Sequence, residues 1–231
     1  MKVLLNDGLC QNGQKILSDN GIKFDTVHFE PDELLKQIAS YDGIIVRSAT
    51  KVTKEVIDAG TKLKAIGRAG TGIDNIDHVY AKSKGISILN TPGENSASVS
   101  ELVFAHCFAL ARFIPEANRT MALGEWNKKK FKGFELAGKT IGIVGFGRIG
   151  KITAQMALAF GMKVLAYDVV EIKTDLNVKA VSKEELLKNS DFITIHVPKL
   201  DQPFIDVAEL KLMKKTAFLV NCSRGGVIDE T

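Results

Sequence analysis

The chain has 231 residues, of which 45% are hydrophobic and 25% charged, an ordinary globular make-up long enough for one large domain or two modest ones. Its net charge of +4 suits anionic small molecules, and the absence of a clustered basic stripe argues against nucleic acid; the one basic run, Lys128-Lys-Lys130, reads as a solvated face. No apolar run reaches the length of a membrane span, Met1-Lys-Val-Leu-Leu5 begins a strand at once so that no signal peptide is expected, and Cys10, Cys107 and Cys222 have neither disulfide nor metal spacing, which points to a reducing cytoplasm.

Short β-like runs open the chain: Val3-Leu-Leu5, Lys23-Phe-Asp-Thr-Val27, Gly43-Ile-Ile-Val46, Lys64-Ala-Ile66 and Ile86-Ser-Ile-Leu89. Helical patterns lie between them over 12–18, 31–39, 54–59 and 75–84. Strand–helix alternation of this kind predicts a parallel, doubly wound sheet, because parallel neighbours need crossovers and the right-handed ones dominate. A turn at Thr91-Pro-Gly-Glu94 separates this half from a long helical pattern over 98–117, which Asn95, Ser96 or Ser98 would cap. Its apolar residues spread widely around the helix, so burial on most sides is expected. A polar, irregular stretch follows around Trp126, the only tryptophan.

The second half repeats the rhythm from Thr140. The run Thr140-Ile-Gly-Ile-Val144 leads into Gly145-Phe-Gly147-Arg-Ile-Gly150, then a helical pattern over 151–160, then Met162-Lys-Val-Leu-Ala-Tyr167 ending on Asp168. A GxGxxG between strand and helix, with an acid about 20 residues on, predicts a dinucleotide site. Gly145 permits the tight turn, Gly147 lets backbone approach a pyrophosphate, and Gly150 lets helix and strand pack closely. The helix N-terminus adds free N–H groups and partial positive charge. Asp168 is placed to accept hydrogen bonds from the adenosine ribose. A 2′-phosphate about 4 Å from its carboxylate would meet repulsion of about 4 kcal/mol at an effective dielectric of 20. Val169, Val170 and Glu171 supply no compensating cation, so NAD is expected rather than NADP. Further elements follow at 183–188, 191–195, 208–213 and 217–221. The expected class is therefore α/β, two doubly wound parallel-sheet domains, with a flavodoxin-like substrate domain over 1–93 and a Rossmann NAD-binding domain over 94–231.

In such sheets ligands gather beyond the carboxyl ends of the strands. Those ends carry Arg47-Ser-Ala-Thr50 and Gly67-Arg-Ala-Gly-Thr-Gly72 in the first half, and Gly145–Gly150, Asp168, His196-Val-Pro198 and Asn221-Cys-Ser-Arg-Gly-Gly226 in the second. Three strand-end arginines, Arg47, Arg68 and Arg224, concentrate groups whose planar fork suits carboxylate or phosphate.

Val46-Arg-Ser-Ala-Thr-Lys-Val52, Gly67-Arg-Ala-Gly-Thr-Gly-Ile-Asp74, Asn90-Thr-Pro92, Val144–Gly150 and Asn221-Cys-Ser-Arg-Gly-Gly-Val-Ile-Asp229 together resemble the D-isomer-specific 2-hydroxyacid dehydrogenases, in order along nearly the whole chain. Within them the segments at Arg47 and Arg68 look most like the branch that oxidises D-3-phosphoglycerate in serine biosynthesis. The resemblance implies reversible hydride transfer between C2 of a 2-hydroxy acid and NAD, in a homodimer or larger homo-oligomer. It implies that Arg224 grips the substrate carboxylate and carbonyl oxygen, and that Arg47, Ser48, Arg68 and Gly70 hold the acid and its phosphate. It implies that Thr71, Arg148, Ile149, Asp168, His196, Val197, Pro198, Cys222 and Ser223 line the cofactor beside Gly145, Gly147 and Gly150. The family's acid/base histidine and its orienting glutamate lie downstream of the Asn221–Asp229 segment and match no residue here; the sequence is accordingly expected to be part of a longer chain. His196 as a substitute acid/base lacks a carboxylate partner in sequence, and Cys222 as a nucleophile lacks a histidine. The competing expectations are a glyoxylate, hydroxypyruvate or D-lactate reductase, and an NAD-sensing module of the co-repressor kind that binds without turnover.

Overall fold

All strand pairings in the computed structural model, which describes residues 1–231, are parallel, and they build two five-stranded sheets. The chain divides into two units, Met1–Asn95 and Ser96–Thr231, with one sheet in each. Two doubly wound α/β units are thus what the strand–helix rhythm predicts.

The first unit runs β1 (Lys2–Leu5), α1 (Gln11–Asp19), β2 (Lys23–Asp25), α2 (Pro31–Gln37), a 3-10 turn (Ile38–Ser40), β3 (Gly43–Val46), α3 (Lys54–Ala59), β4 (Ala65–Arg68), α4 (His78–Ser83) and β5 (Ser87–Asn90). Its sheet order is β2-β1-β3-β4-β5, the flavodoxin-like order, with a topological switch between β1 and β3. Strand alternation sends Leu4, Ile44 and Ile66, which stand in register, to one face. There they pack with Leu34 and Ile38, Val56 and Ile57 of α3, and Ala81 of α4. Each such fully buried aliphatic side chain contributes about 1.5–3 kcal/mol. Helix α4 is shorter than the pattern over 75–84 suggests. Asp77 caps it by accepting from Tyr80 N at 3.0 Å, while Asn75 is held outside the helix by hydrogen bonds to another loop.

The second unit runs α5 (Ser96–Arg112), α6 (Ile114–Ala122), β6 (Thr140–Val144), α7 (Arg148–Ala159), β7 (Lys163–Tyr167), β8 (Val178–Ala180), α8 (Lys183–Asn189), β9 (Phe192–Ile195), α9 (Val207–Leu212) and β10 (Phe218–Asn221). The order β10-β9-β6-β7-β8 is the Rossmann arrangement, with its switch between β6 and β9. One face packs Ile141, Ile143, Val164 and Phe192 against Val103 and Phe104 of α5 and Ala154 and Ala157 of α7. The other packs Val144, Ile193 and Ile195 against Leu186 and Leu187 of α8. Strand β8 is too short and mixed, VKA, to announce itself in sequence.

The long helix corrects three expectations. The pattern over 98–117 is two helices bent by 64°, with Phe113 at φ 55° between them. Pro115 is the cause: it has no N–H for the carbonyl four residues back. That carbonyl, Ala111 O, accepts instead from Phe134 N at 3.1 Å. Burial is confined to one stripe, Ser96, Ser100, Val103, Phe104, Cys107 and Ala111, while Leu102, Leu110 and Phe113 are exposed. Ser96 and Ser98 lie inside α5 and do not cap it; the Asn95 side chain accepts from Thr71 Oγ1. No single helix is long and apolar enough to cross a membrane.

Candidate functional site

Strand β6 ends where the first glycine turns the chain. Gly145 has φ +86°, a conformation side-chain-bearing residues rarely adopt, and a Cβ there would press on the His196 carbonyl oxygen at 2.6 Å. At Gly150 a Cβ would collide with the carbonyl of Gly145, so helix α7 sits against the turn only because that position is bare. Gly147 differs: a Cβ there would meet nothing within 4 Å. It stands at the N-cap of α7, the helix beginning at Arg148 rather than at Lys151, so Arg148, Ile149 and Gly150 form its first turn. Four orphan N–H groups and the positive end of the helix dipole are therefore gathered at an open, bare spot. Asp168, just past β7, accepts from Phe146 N at 2.6 Å and Val170 N at 3.2 Å. It thereby ties the glycine turn to the end of β7 and keeps lone pairs for a further donor.

Across the switch point, β9 delivers His196, Val197 and Pro198. His196 N donates to Val144 O at 2.7 Å, which fixes this loop to the end of β6. The ring Nε2 lies 3.1 Å from Thr194 Oγ1, and the buried Nδ1 has no partner. Burial depresses the imidazole pKa to about 4, so near pH 7 the ring is neutral, with one N–H and one acceptor nitrogen, and is not an imidazolium acid. At the end of β10, Asn221 shapes the next loop. Its Oδ1 accepts from Ser223 N at 3.0 Å and Ser223 Oγ at 2.7 Å, and its Nδ2 donates to Arg224 O at 2.9 Å. An asparagine two residues before a serine is the Asx-turn spacing, a signal legible in sequence. Arg224 Nη1 donates to Ser223 O at 3.1 Å. Burial pushes the Cys222 thiol up, which keeps it protonated and makes it a packing residue rather than a nucleophile.

In the first unit Arg47 and Ser48 follow β3 and are exposed, and Arg68 ends the neighbouring strand β4, where it pairs in register with Val46. The Arg68 side chain lies over Gly70, so closely that a Cβ at Gly70 would overlap the guanidinium. Its Nη1 donates to Ala69 O at 3.2 Å and its buried Nε has no partner. Thr71, expected beside the cofactor, belongs to this unit; its hydroxyl contacts Thr91 O at 3.2 Å and Asn95 Oδ1 at 2.8 Å.

Sequence reading missed a set of side chains at the β1–β3 switch. Asp7 Oδ2 accepts from Arg47 N at 2.7 Å and Thr50 N at 3.1 Å, and Oδ1 accepts from Thr50 Oγ1 at 2.5 Å. Asn6 Nδ2 donates to Thr50 Oγ1 at 2.7 Å, and Asn75 Nδ2 donates to Arg47 O at 2.7 Å and Thr50 O at 2.6 Å. Burial pushes the Asp7 carboxyl up, but the hydrogen bonds from Thr50 and Arg47 outweigh it and hold the group below its ordinary range. No local sequence signal marks Asp7.

The bare Gly147, the free N–H groups of α7, Asp168 and the orphaned His196 Nδ1 form a donor and acceptor set that fits a dinucleotide. The family model for the D-isomer specific 2-hydroxyacid dehydrogenase, NAD binding domain, matches residues 104–231, the glycine turn included. The chain belongs to the D-isomer specific 2-hydroxyacid dehydrogenase family. Hydroxypyruvate reductase of Thermotoga maritima is 46% identical over 99% of this chain and 76% of its own length. D-3-phosphoglycerate dehydrogenase of Methanocaldococcus jannaschii is 44% identical over all of this chain, which spans 45% of that protein. Among solved structures, an acyclic imino acid reductase in complex with NADPH and D-Arg superposes with a TM-score of 0.90 at 32% identity, covering all of this chain and 76% of that one. The second unit is thus an NAD-binding domain of this family, and the match takes in the turn at Gly145, Gly147 and Gly150 and the end of β7 at Asp168.

Proposed function

We propose that this chain oxidises a D-2-hydroxy acid with NAD, and that the acid is D-3-phosphoglycerate, giving 3-phosphohydroxypyruvate as a step of serine biosynthesis in the cytoplasm. The observation that carries the substrate is the pair of arginines at the ends of adjacent strands, Arg47 just after β3 and Arg68 at the end of β4. Two guanidinium groups beside one sheet edge exceed what a bare carboxylate needs and suit an acid that also bears a phosphate. In this reading Arg47, Ser48, Arg68 and Gly70 hold the acid and phosphate, and Arg224 grips the carboxylate and the oxygen on C2. Arg224 would orient C2 and favour the carbonyl oxygen as charge develops on it. The pyrophosphate would rest on the N-terminus of α7 at Gly147, Arg148 and Ile149, the ribose on Asp168, and Thr71, His196, Val197, Pro198, Cys222 and Ser223 would line the remainder. When bound, NAD supplies the acceptor for the hydride leaving C2. Neutral His196 would serve as a hydrogen-bond partner through Nδ1, not as the acid/base. The C2 hydroxyl proton, released as the hydride leaves, passes to solvent water.

The test is Arg47→Ala. Turnover of D-3-phosphoglycerate should lose at least about 100-fold in kcat/KM, the loss of one charged contact held by a positioned guanidinium, whereas an unphosphorylated 2-hydroxy acid should lose no more than about tenfold. Equal losses discard the phosphate. Hydroxypyruvate reduction is the second reading, favoured by the 46% identity to a protein of that name. We also propose a homodimer formed through the exposed apolar residues Leu110, Phe113, Ile114 and Met121 on and between α5 and α6. A monomer mass by light scattering would refute it; Leu110→Glu should convert a dimer to monomers.

A further inference from the structure

We propose that Asp7, assisted by Asn75, is the positioning residue that sets the geometry of the Arg47–Thr50 loop for substrate. The inference rests on the reading of Arg47 and Ser48 as substrate grips and deepens it. Arg47, Ser48 and Ala49 are exposed and pack against little, so the loop takes its shape from its backbone partners. Those partners form a closed set. The N–H groups of Arg47 and Thr50 both donate to one carboxylate oxygen of Asp7, and the carbonyls of the same two residues both accept from Asn75 Nδ2. The Thr50 hydroxyl donates to the other Asp7 oxygen while accepting from Asn6. Both ends of a four-residue loop are thus tied through donors and acceptors alike.

The Asp7 side chain is only 4% exposed, and the His28 ring lies beside it, with Nδ1 3.6 Å from the carboxylate and 2.9 Å from Asn6 O. A carboxylate buried without a lysine or arginine partner is costly unless it is hydrogen-bonded, and an aspartate at a turn ordinarily bonds backbone within two residues of itself. Asp7 reaches 40 residues along the chain instead. It does so from the end of β1 to the end of the paired strand β3, at the switch point where strand ends diverge and ligands bind. Holding the Arg47 amide fixes the direction in which its side chain leaves the backbone. Displacing that side chain weakens its hold on substrate, so the cost falls on substrate binding.

Asp7→Asn keeps shape and places an NH2 group where an oxygen accepts. In the purified protein with saturating NAD, KM for D-3-phosphoglycerate should rise about tenfold, equivalent to about 1.4 kcal/mol. The dissociation constant of NAD and kcat should stay within about twofold, and hydrogen exchange at the Arg47 and Thr50 amides should accelerate. Asn75→Ala, on the part-exposed side of the loop, should shift KM in the same direction. In an Arg47→Ala background, Asp7→Asn should add less than about twofold, since it acts through Arg47. Unchanged KM in both single variants, unchanged amide exchange, or full additivity with Arg47→Ala overturns the proposal, as does an equal loss of NAD affinity, which marks general destabilisation. A wild-type protein that neither binds nor turns over a 2-hydroxy acid refutes the functional reading instead, and the exchange measurement still decides the clamp.

Discussion

The same substitution made at two glycines of one motif should have opposite consequences. At Gly150 a Cβ collides with the Gly145 carbonyl and also crowds Ile143 Cγ2 at 3.3 Å. Overpacking against backbone costs about 3 kcal/mol, and the better helix propensity of alanine returns about 1 kcal/mol, leaving a net loss of about 2 kcal/mol. At about 4 °C per kcal/mol for a unit of this size, Gly150→Ala should lower the melting temperature by about 8 °C. At Gly147 the backbone φ is −74°, open to any residue, and the Cβ has free space. The only folding cost of Gly147→Ala is a weaker N-cap, about 0.5 kcal/mol or about 2 °C. Its effect should fall on the ligand, because the free space is where a pyrophosphate would approach the backbone. NAD affinity should drop at least tenfold, or about 1.4 kcal/mol. Thermal melts followed by circular dichroism and NAD titration by calorimetry separate the two. Gly147→Ala binding NAD as tightly as the wild type would refute the placement of the pyrophosphate. Equal melting losses in both variants would refute the steric distinction between the two glycines.

Asp168→Asn removes the charge that would repel a 2′-phosphate while keeping the shape that meets Phe146 N. The preference for NAD over NADP should shrink at least tenfold; an unchanged ratio would mean that discrimination resides elsewhere. His196 titrates at about 4 in the fold against an ordinary value near 6.5, so the unfolded chain binds the extra proton first. Its contribution is intact above pH 6.5 and is lost as pH falls toward 4. With allowance for the part of the ring that meets solvent, unfolding free energy should fall between pH 7 and 4.5 by about 2 kcal/mol more in the wild type than in His196→Gln. Parallel pH profiles by urea denaturation would show that burial does not control this imidazole.

The two strand–helix series, the glycine turn and Asp168 were legible because each is encoded locally. A strand, a tight turn, a helix and the next strand fit within about 30 residues, and each glycine's role follows from its place in that unit. The break between α5 and α6 escapes that reading, because the apolar pattern runs through Pro115 and suggests a single helix over 98–117. The one-sided burial of α5 was not legible, because Leu102 and Leu110 are as apolar as Val103 and Phe104; only the position of the sheet chooses which stripe is covered. The Asp7 clamp was not legible for the same kind of reason. Its partners lie 40 and 43 residues away and meet because β1 pairs with β3 rather than with β2 alone. Sequence by itself determined the class of fold, the glycine turn between β6 and α7 and the strand-end arginines, all products of short-range pattern. Tertiary structure decided which loops lie side by side, and so which buried carboxylate holds Arg47 in place, since strand order is set by packing of the whole sheet and not by any segment of it.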